Sequence, residues 1–234
     1  MVAKRTERIL ATLRLLYPDA VTALDWTTPF ELLVATVLSA QSTDRMVNRV
    51  TPSLFRRFPD AAAMARALPE EEGGEESPDG VAYYIRALGL YHTKARHLLA
   101  LASELTERMG GEVPRDRTRL MRLPGVGRKT ANVVLATGFG IPAFPVDTHV
   151  GRVSWRLGLA TSQDPDRVER ELCRRIPRQE WIWAHHALIE HGRVICLARR
   201  PRCGVCPLAP NCPSAFSFGQ VPVRVDRDAQ IPVG

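Results

Sequence analysis

No stretch of these 234 residues is apolar for long enough to cross a bilayer. The start, Met1-Val-Ala-Lys-Arg-Thr-Glu-Arg, is polar and charged and lacks the apolar core of a secretory leader. Both absences predict a soluble protein of the cytoplasm with no membrane partner. Cysteine is scarce: there are five, and four of them fall between Cys196 and Cys212. Such crowding in a reducing compartment argues for a metal centre over disulfides. Acid is short as well, with 25 Asp and Glu against 32 Lys and Arg, a net charge of +7 and a pI near 9.6. Six of the acids lie between Pro69 and Gly80, a stretch with no base, so the remainder carries +13. A surface that basic favours a polyanion, with affinity that falls as salt rises. The Pro69–Gly80 stretch has no apolar anchor and reads as a loop inserted between helices.

What is present is helical periodicity interrupted by turn residues, which predicts an all-α protein. Arg5 to Tyr17 has Ile9, Leu13 and Leu16 on one side and bases on the other, and Pro18 ends it. Thr28-Pro29-Phe30-Glu31 reads as a capped helix start, and Phe30 to Ala40 is apolar almost all round, as a core helix is. Ser42 or Thr43 is placed to cap the next helix, from Arg45 to Phe58, with Asp44 in its first turn. Gly89 suits a helix C-cap and Thr93 an N-cap for a long helix that Gly110-Gly111 closes.

The stretch that organises the chain is Leu123-Pro124-Gly125-Val126-Gly127-Arg128-Lys129-Thr130-Ala131. Helical runs flank it, so Pro-Gly-Val-Gly is a tight hairpin: proline ends one helix, and glycines allow angles that other residues resist. Such a turn aims amide N–H groups outward at a helix start, where a phosphate can approach. Lys129 then sits in the first turn, where the helix dipole disfavours its charge and eases deprotonation. A neutral amine in a cleft is a nucleophile that forms Schiff bases. Asp147, in Val146-Asp147-Thr148-His149-Val150, is the natural N-cap of a helix from Thr148 to Leu157.

These two motifs resemble the helix–hairpin–helix and Gly/Pro…Asp signature of the endonuclease III family of DNA glycosylases, and the likeness runs from about Thr6 to Cys212. The resemblance implies a two-lobed all-α helix–hairpin–helix fold. A six-helix barrel lobe would span 22–141, and an iron–sulfur cluster lobe would join 1–21 to 142–215, leaving 216–234 as a tail. It implies that Lys129 attacks C1′ of a damaged nucleotide and that Asp147 assists. Ser39-Ala40-Gln41-Ser42-Thr43-Asp44 resembles the lesion-side loop, in which Gln41 fills the gap left by a flipped nucleotide and Ser39 and Asp44 border the pocket. Gly89-Leu90-Tyr91-x-x-Lys94-Ala95 resembles the loop whose leucine, Leu90, wedges into the opposite strand; the other reading tucks Leu90 under its own turn. Gly125, Val126, Gly127 and Arg128 would hold the DNA backbone, and His149 would either contact DNA or bond locally.

The spacing Cys196-x6-Cys203-x2-Cys206-x5-Cys212 has one Cys-x2-Cys knuckle where zinc sites usually have two, and four thiolates with uneven gaps can hold a [4Fe–4S] cluster. The 6-2-5 spacing matches the family's iron–sulfur motif; zinc is the alternative. The loop between the first two cysteines carries Arg199, Arg200 and Arg202, candidates for phosphate contact. Cys173 reads as a core thiol. Together these imply a monomeric glycosylase and abasic-site lyase of base excision repair, acting on oxidised pyrimidines in double-stranded DNA. The alternatives are a thymine-mismatch glycosylase and a non-catalytic iron–sulfur DNA-binding module. Met121 stands before the hairpin where related enzymes often carry an acid, which touches lesion preference more than reaction type.

Overall fold

The computed structural model describes residues 2–68 and 77–217. The acid-rich 69–76 and the 218–234 part of the tail lie outside the described residues. Helices make up the structure, with no strand among the described residues and one isolated bridge, Leu68 with Gly80. In chain order they are α1 (Val2–Leu16), α2 (Pro29–Leu38), α3 (Asp44–Arg57), α4 (Ala61–Ala65), α5 (Val81–Ile85) and α6 (Tyr91–Met109). Then follow α7 (Arg117–Leu120), α8 (Arg128–Val133), α9 (Thr148–Arg156), α10 (Pro165–Arg175) and α11 (Trp181–Val194). The chain divides into two compact units, Thr22–Pro145 and the segment up to Val21 joined with the chain from Val146 onward.

In the Thr22–Pro145 unit α2 is the core helix, with Phe30 and every residue from Leu32 to Leu38 buried. Thr28 caps it by accepting from the Glu31 N–H at 3.2 Å. Glu31 reaches back one residue further than a capping box requires, accepting from the N–H and hydroxyl of Thr27 at 2.6 and 2.7 Å. Thr43, rather than Ser42, caps α3. The long α6 buries Ala95, Leu98, Leu101, Ala102 and Leu105 along one stripe, against α2, α4 and α5. It starts two residues before the predicted cap Thr93: Leu90, in the left-handed region, turns the chain and opens the helix at Tyr91 without a side-chain cap. Arg57 pairs with Asp79 at 2.7 Å, and the Leu68 N–H bonds Asp79 O.

In the other unit α11 packs on α9 and α1, and α10 packs on α9. Arg14 of α1 stacks 3.4 Å over the Trp183 ring and pairs with Glu180, while the Trp183 indole N–H donates to Tyr17 O at 2.8 Å. Cys173 is half-buried rather than fully in the core. No helix among the described residues is long and apolar enough to cross a membrane.

Candidate active site

The hairpin joins α7 to α8. Leu120 and Leu123 anchor its first half in the core, and the Val126 N–H closes the turn on Leu123 O at 3.1 Å. Gly125 has φ +75°, and a Cβ there would stand 3.2 Å from the His97 Cβ of α6, so both backbone angle and space call for glycine. Val126 is buried, so at that position the turn offers backbone rather than side chain to a ligand, while Gly125 and Gly127 are exposed. The helical ladder of α8 begins with Ala131 N–H on Gly127 O, which leaves the first-turn amides ahead of it. Lys129 is the second residue of α8 and is half-buried. Beyond α8, Val134–Gly138 widens into a π turn that the sequence did not signal. Gly138 sits where a Cβ would stand 3.0 Å from Leu32 of α2. Asn132, buried one turn after Lys129, donates to Phe144 O at 3.4 Å, holding the segment that leaves the π turn.

Gln41 lies exposed in the short link from α2 to α3 with φ +54°, and Leu90 is 59 % exposed with φ +57°. Leu90 therefore does not tuck under its own turn. Each left-handed residue without the freedom of glycine costs roughly 1–3 kcal/mol, and such outliers cluster at functional sites. Ser39 caps α2 and donates to Thr36 O at 2.8 Å, and Asp44 occupies the first turn of α3. Sequence reasoning passed over Lys94: it is buried, and its ammonium donates to Ser42 Oγ at 2.8 Å. Burial lowers its pKa. Thus α6 carries Leu90 at its start, touches the Gln41 link through Lys94, and lies under the hairpin through His97.

In the other unit Asp147 caps α9, its Oδ1 accepting from the Val150 N–H at 2.7 Å. Two residues on, His149 Nδ1 lies 3.2 Å from Arg152 Nη2 and beside Gly192, where a Cβ would stand 3.0 Å from it. His149 is a local hydrogen bonder here. Burial lowers its pKa, Asp147 raises it, and Arg152 and Arg193 lower it again.

The four cysteines line a cavity that α9 and α11 help to wall, with Arg156, His191, Ile195 and Leu157, and with about 350 Å³ of empty volume including space open to solvent. Among the described residues, no three or more His, Cys, Asp or Glu side chains converge on one point to share a single metal ion. A cubane cluster takes one thiolate at each iron, so cysteines standing around a void suit it. The donors fit as well. Arg156 Nη1 is 3.4 Å from Cys196 Sγ, the Leu208 N–H bonds the Cys206 sulfur, and those of Ser214 and Ala215 bond Cys212. Burial, then the neighbouring cysteines, push the Cys206 thiol up to about 12. Sequence reasoning missed the residues that hold the loop. Arg156 donates to Leu197 O and Ala198 O at 2.7 Å each, and Arg152 to Cys196 O at 3.2 Å and Gly192 O at 2.9 Å. Buried His191 joins Tyr17 OH, 3.2 Å from its Nδ1, to Cys206 Sγ, 3.6 Å from its Nε2. Arg199, Arg200 and Arg202 are exposed on the loop.

The sequence of residues 34–178 matches the HhH-GPD superfamily of base excision DNA repair proteins. Endonuclease III of Synechocystis is 47 % identical over 213 residues, which cover 91 % of this chain and 93 % of the relative. Endonuclease III of Escherichia coli K12 is 45 % identical over 210 residues, covering 90 % and 95 %. Among solved structures, a trapped covalent endonuclease III–DNA intermediate superposes with a TM-score of 0.85 at 42 % identity, covering 94 % of this chain and all of that one. A thermostable thymine-DNA glycosylase, with a TM-score of 0.77 and 21 % identity over 92 % of this chain and 98 % of that one, shares the fold. With such matches along nearly its whole length, the chain belongs to the HhH-GPD superfamily of base excision DNA repair proteins and, within it, to the endonuclease III family.

Proposed function

We propose that Lys129 is the nucleophile of this DNA glycosylase and AP lyase of base excision repair, and that its substrates are oxidised pyrimidines in double-stranded DNA. One observation carries the reading. A relative 42 % identical to this chain forms a covalent intermediate with DNA that can be trapped, and this chain sets a half-buried lysine at the start of the helix behind its glycine hairpin. A covalent step needs an activated nucleophile, and an amine serves a sugar C1′ as it serves a carbonyl.

The steps follow from the residues. The damaged nucleotide leaves the base stack, at a cost that is least for a poorly stacked base. Gln41 takes its place, and Leu90 enters the opposite strand. Lys129 Nζ attacks C1′ as the base departs, and Asp147 stabilises the positive charge that develops on the sugar. The opened sugar becomes an imine with Lys129. The imine acidifies the C2′ proton, and β-elimination releases the 3′ phosphate. Ser39 and Asp44 border the pocket. The backbone of Gly125–Arg128 and the exposed Arg199, Arg200 and Arg202 hold phosphates, in keeping with +13 outside the acid-rich stretch. Cys196, Cys203, Cys206 and Cys212 would hold a [4Fe–4S] cluster, whose iron would neutralise their thiolates and help keep the arginine loop folded. The protein acts as a monomer, and His149 contributes as a neighbour of Asp147.

Excision assays on duplexes holding thymine glycol, an abasic site or a G·T mismatch test the substrate class. Release of thymine glycol with strand cleavage is the expected result; action on the mismatch alone would replace it with the thymine-mismatch reading. Brown protein with four irons and four sulfides per chain is expected, and colourless protein with one zinc would overturn the cluster.

A further inference from the structure

Lys94 is 5 % exposed, yet among the described residues no carboxylate answers its charge; its acceptor is Ser42 Oγ at 2.8 Å. A buried ammonium without a counter-ion is costly, and a methionine would fill the same space without that cost. Its two ends meet two loops. By its backbone, Lys94 N–H closes on Leu90 O at 3.0 Å, the bond that starts α6 at the left-handed Leu90. By its side chain it holds Ser42, which follows the left-handed Gln41 and whose own N–H returns to Ser39 O at 3.2 Å. Apart from Phe216, Gln41 and Leu90 are the non-glycine residues with positive φ among the described residues. Two strained, exposed residues distant in sequence thus share one buried strut.

We propose that Lys94 is a positioning residue that couples the Gln41 link to the Leu90 turn, so that the two enter the duplex as one unit. The inference rests on the reading above in which Gln41 and Leu90 meet opposite strands. A rigid pair pays its ordering entropy in folding rather than at the moment of base opening, so the gap is filled and the opposite strand parted in one step. Without the strut each loop finds its place separately.

The test is a double-mutant cycle in two backgrounds. Single-turnover excision from a thymine glycol duplex is measured for Gln41→Ala, Leu90→Ala and the pair, with Lys94 and with Lys94→Met. Coupled loops predict that, with Lys94 present, the pair loses little more than the worse single variant, whereas with Lys94→Met the two losses multiply. The change in non-additivity is expected to be about tenfold or more. Fluorescence of 2-aminopurine opposite the lesion, which reports base opening, should rise in one phase for the parent and in two for Lys94→Met. The same non-additivity in both backgrounds would overturn the proposal. Ser42→Ala, which removes only the acceptor, serves the same cycle if Lys94→Met fails to fold. Amide exchange in the free protein needs no substrate. Lys94→Met should speed exchange about tenfold at both Ser42–Thr43 and Tyr91–Ala95. Faster exchange in α6 alone would refute the strut, whereas a parent protein inactive on every duplex would refute the function reading and leave the exchange result to decide the strut.

Discussion

The hairpin unit and the cysteine loop hold their functional residues in opposite ways. Around the hairpin, the tips take their shape from backbone: left-handed Gln41, Leu90 and Gly125 and a π turn after α8, with Lys94 joined to Ser42 and Asn132 to Phe144 O. Around the cysteines, shape comes from side chains that reach across the fold. Arg156 holds two carbonyls and a sulfur, Arg152 two more carbonyls, and His191 joins Tyr17 to Cys206. Backbone-set turns with exposed tips suit contact with a partner that must be deformed; a loop pegged by buried Arg156 and half-buried Arg152 suits a centre that must stay fixed. The difference predicts where substitutions strike activity and where they strike stability.

Lys129→Gln has the largest expected effect. Strand cleavage should fall by on the order of 10³-fold or more, with the melting temperature within about 2 °C of the parent, since a half-buried amide replaces a half-buried amine. A variant that melts early would move Lys129 to the structural side of the comparison. Asp147→Asn separates catalysis from capping, because asparagine caps a helix as well as aspartate does. Excision should drop about 10²-fold while α9 is unaffected, and Asp147→Ala should cost a further 1 kcal/mol or so of stability. Near-normal excision by Asp147→Asn would reduce Asp147 to a cap.

Arg156→Met tests the fixed side. It strands the Leu197 and Ala198 carbonyls and should cost about 3 kcal/mol, lowering the melting temperature by roughly 10 °C with loss of colour. An unchanged melting temperature would show that the arginine pegs do not carry the loop. The last effect appears only in acid and leaves neutral pH untouched. Burial and Arg193, opposed by Asp147, hold His186 down at about 4. The unfolded chain takes up that proton near pH 6.5 and the folded one only near 4. The stability this neutral histidine contributes is therefore complete above 6.5 and is lost as pH falls toward 4, up to about 3 kcal/mol. Melting curves at pH 7 and 4.5 should show a smaller drop for His186→Gln than for the parent; equal drops would contradict the assignment.

The parts legible in the sequence are those with local grammar. Thr28-Pro29 opens α2, Asp147 caps α9, and glycine and proline mark the hairpin, because each acts on its own neighbours in the chain. The parts that were not legible are set by distant contacts. Gly89 and Thr93 read as a cap pair, but the left-handed turn at Leu90 opens α6 earlier, and leucine carries no sign of that angle. Lys94 stands in the sequence only as part of its loop motif, and its burial and its bond to Ser42, 52 residues away, come from the fold. Arg152 and Arg156 carry no local mark of their role, because their partners lie some forty residues on. The π turn after α8 has no residue signal at all.

Borohydride trapping on a thymine glycol duplex, with Lys129→Gln alongside, tests the central claim most directly. The account predicts a covalent protein–DNA complex for the parent chain and none for the variant, with DNA binding retained by both. A complex of equal yield from Lys129→Gln would place the nucleophile elsewhere and contradict it.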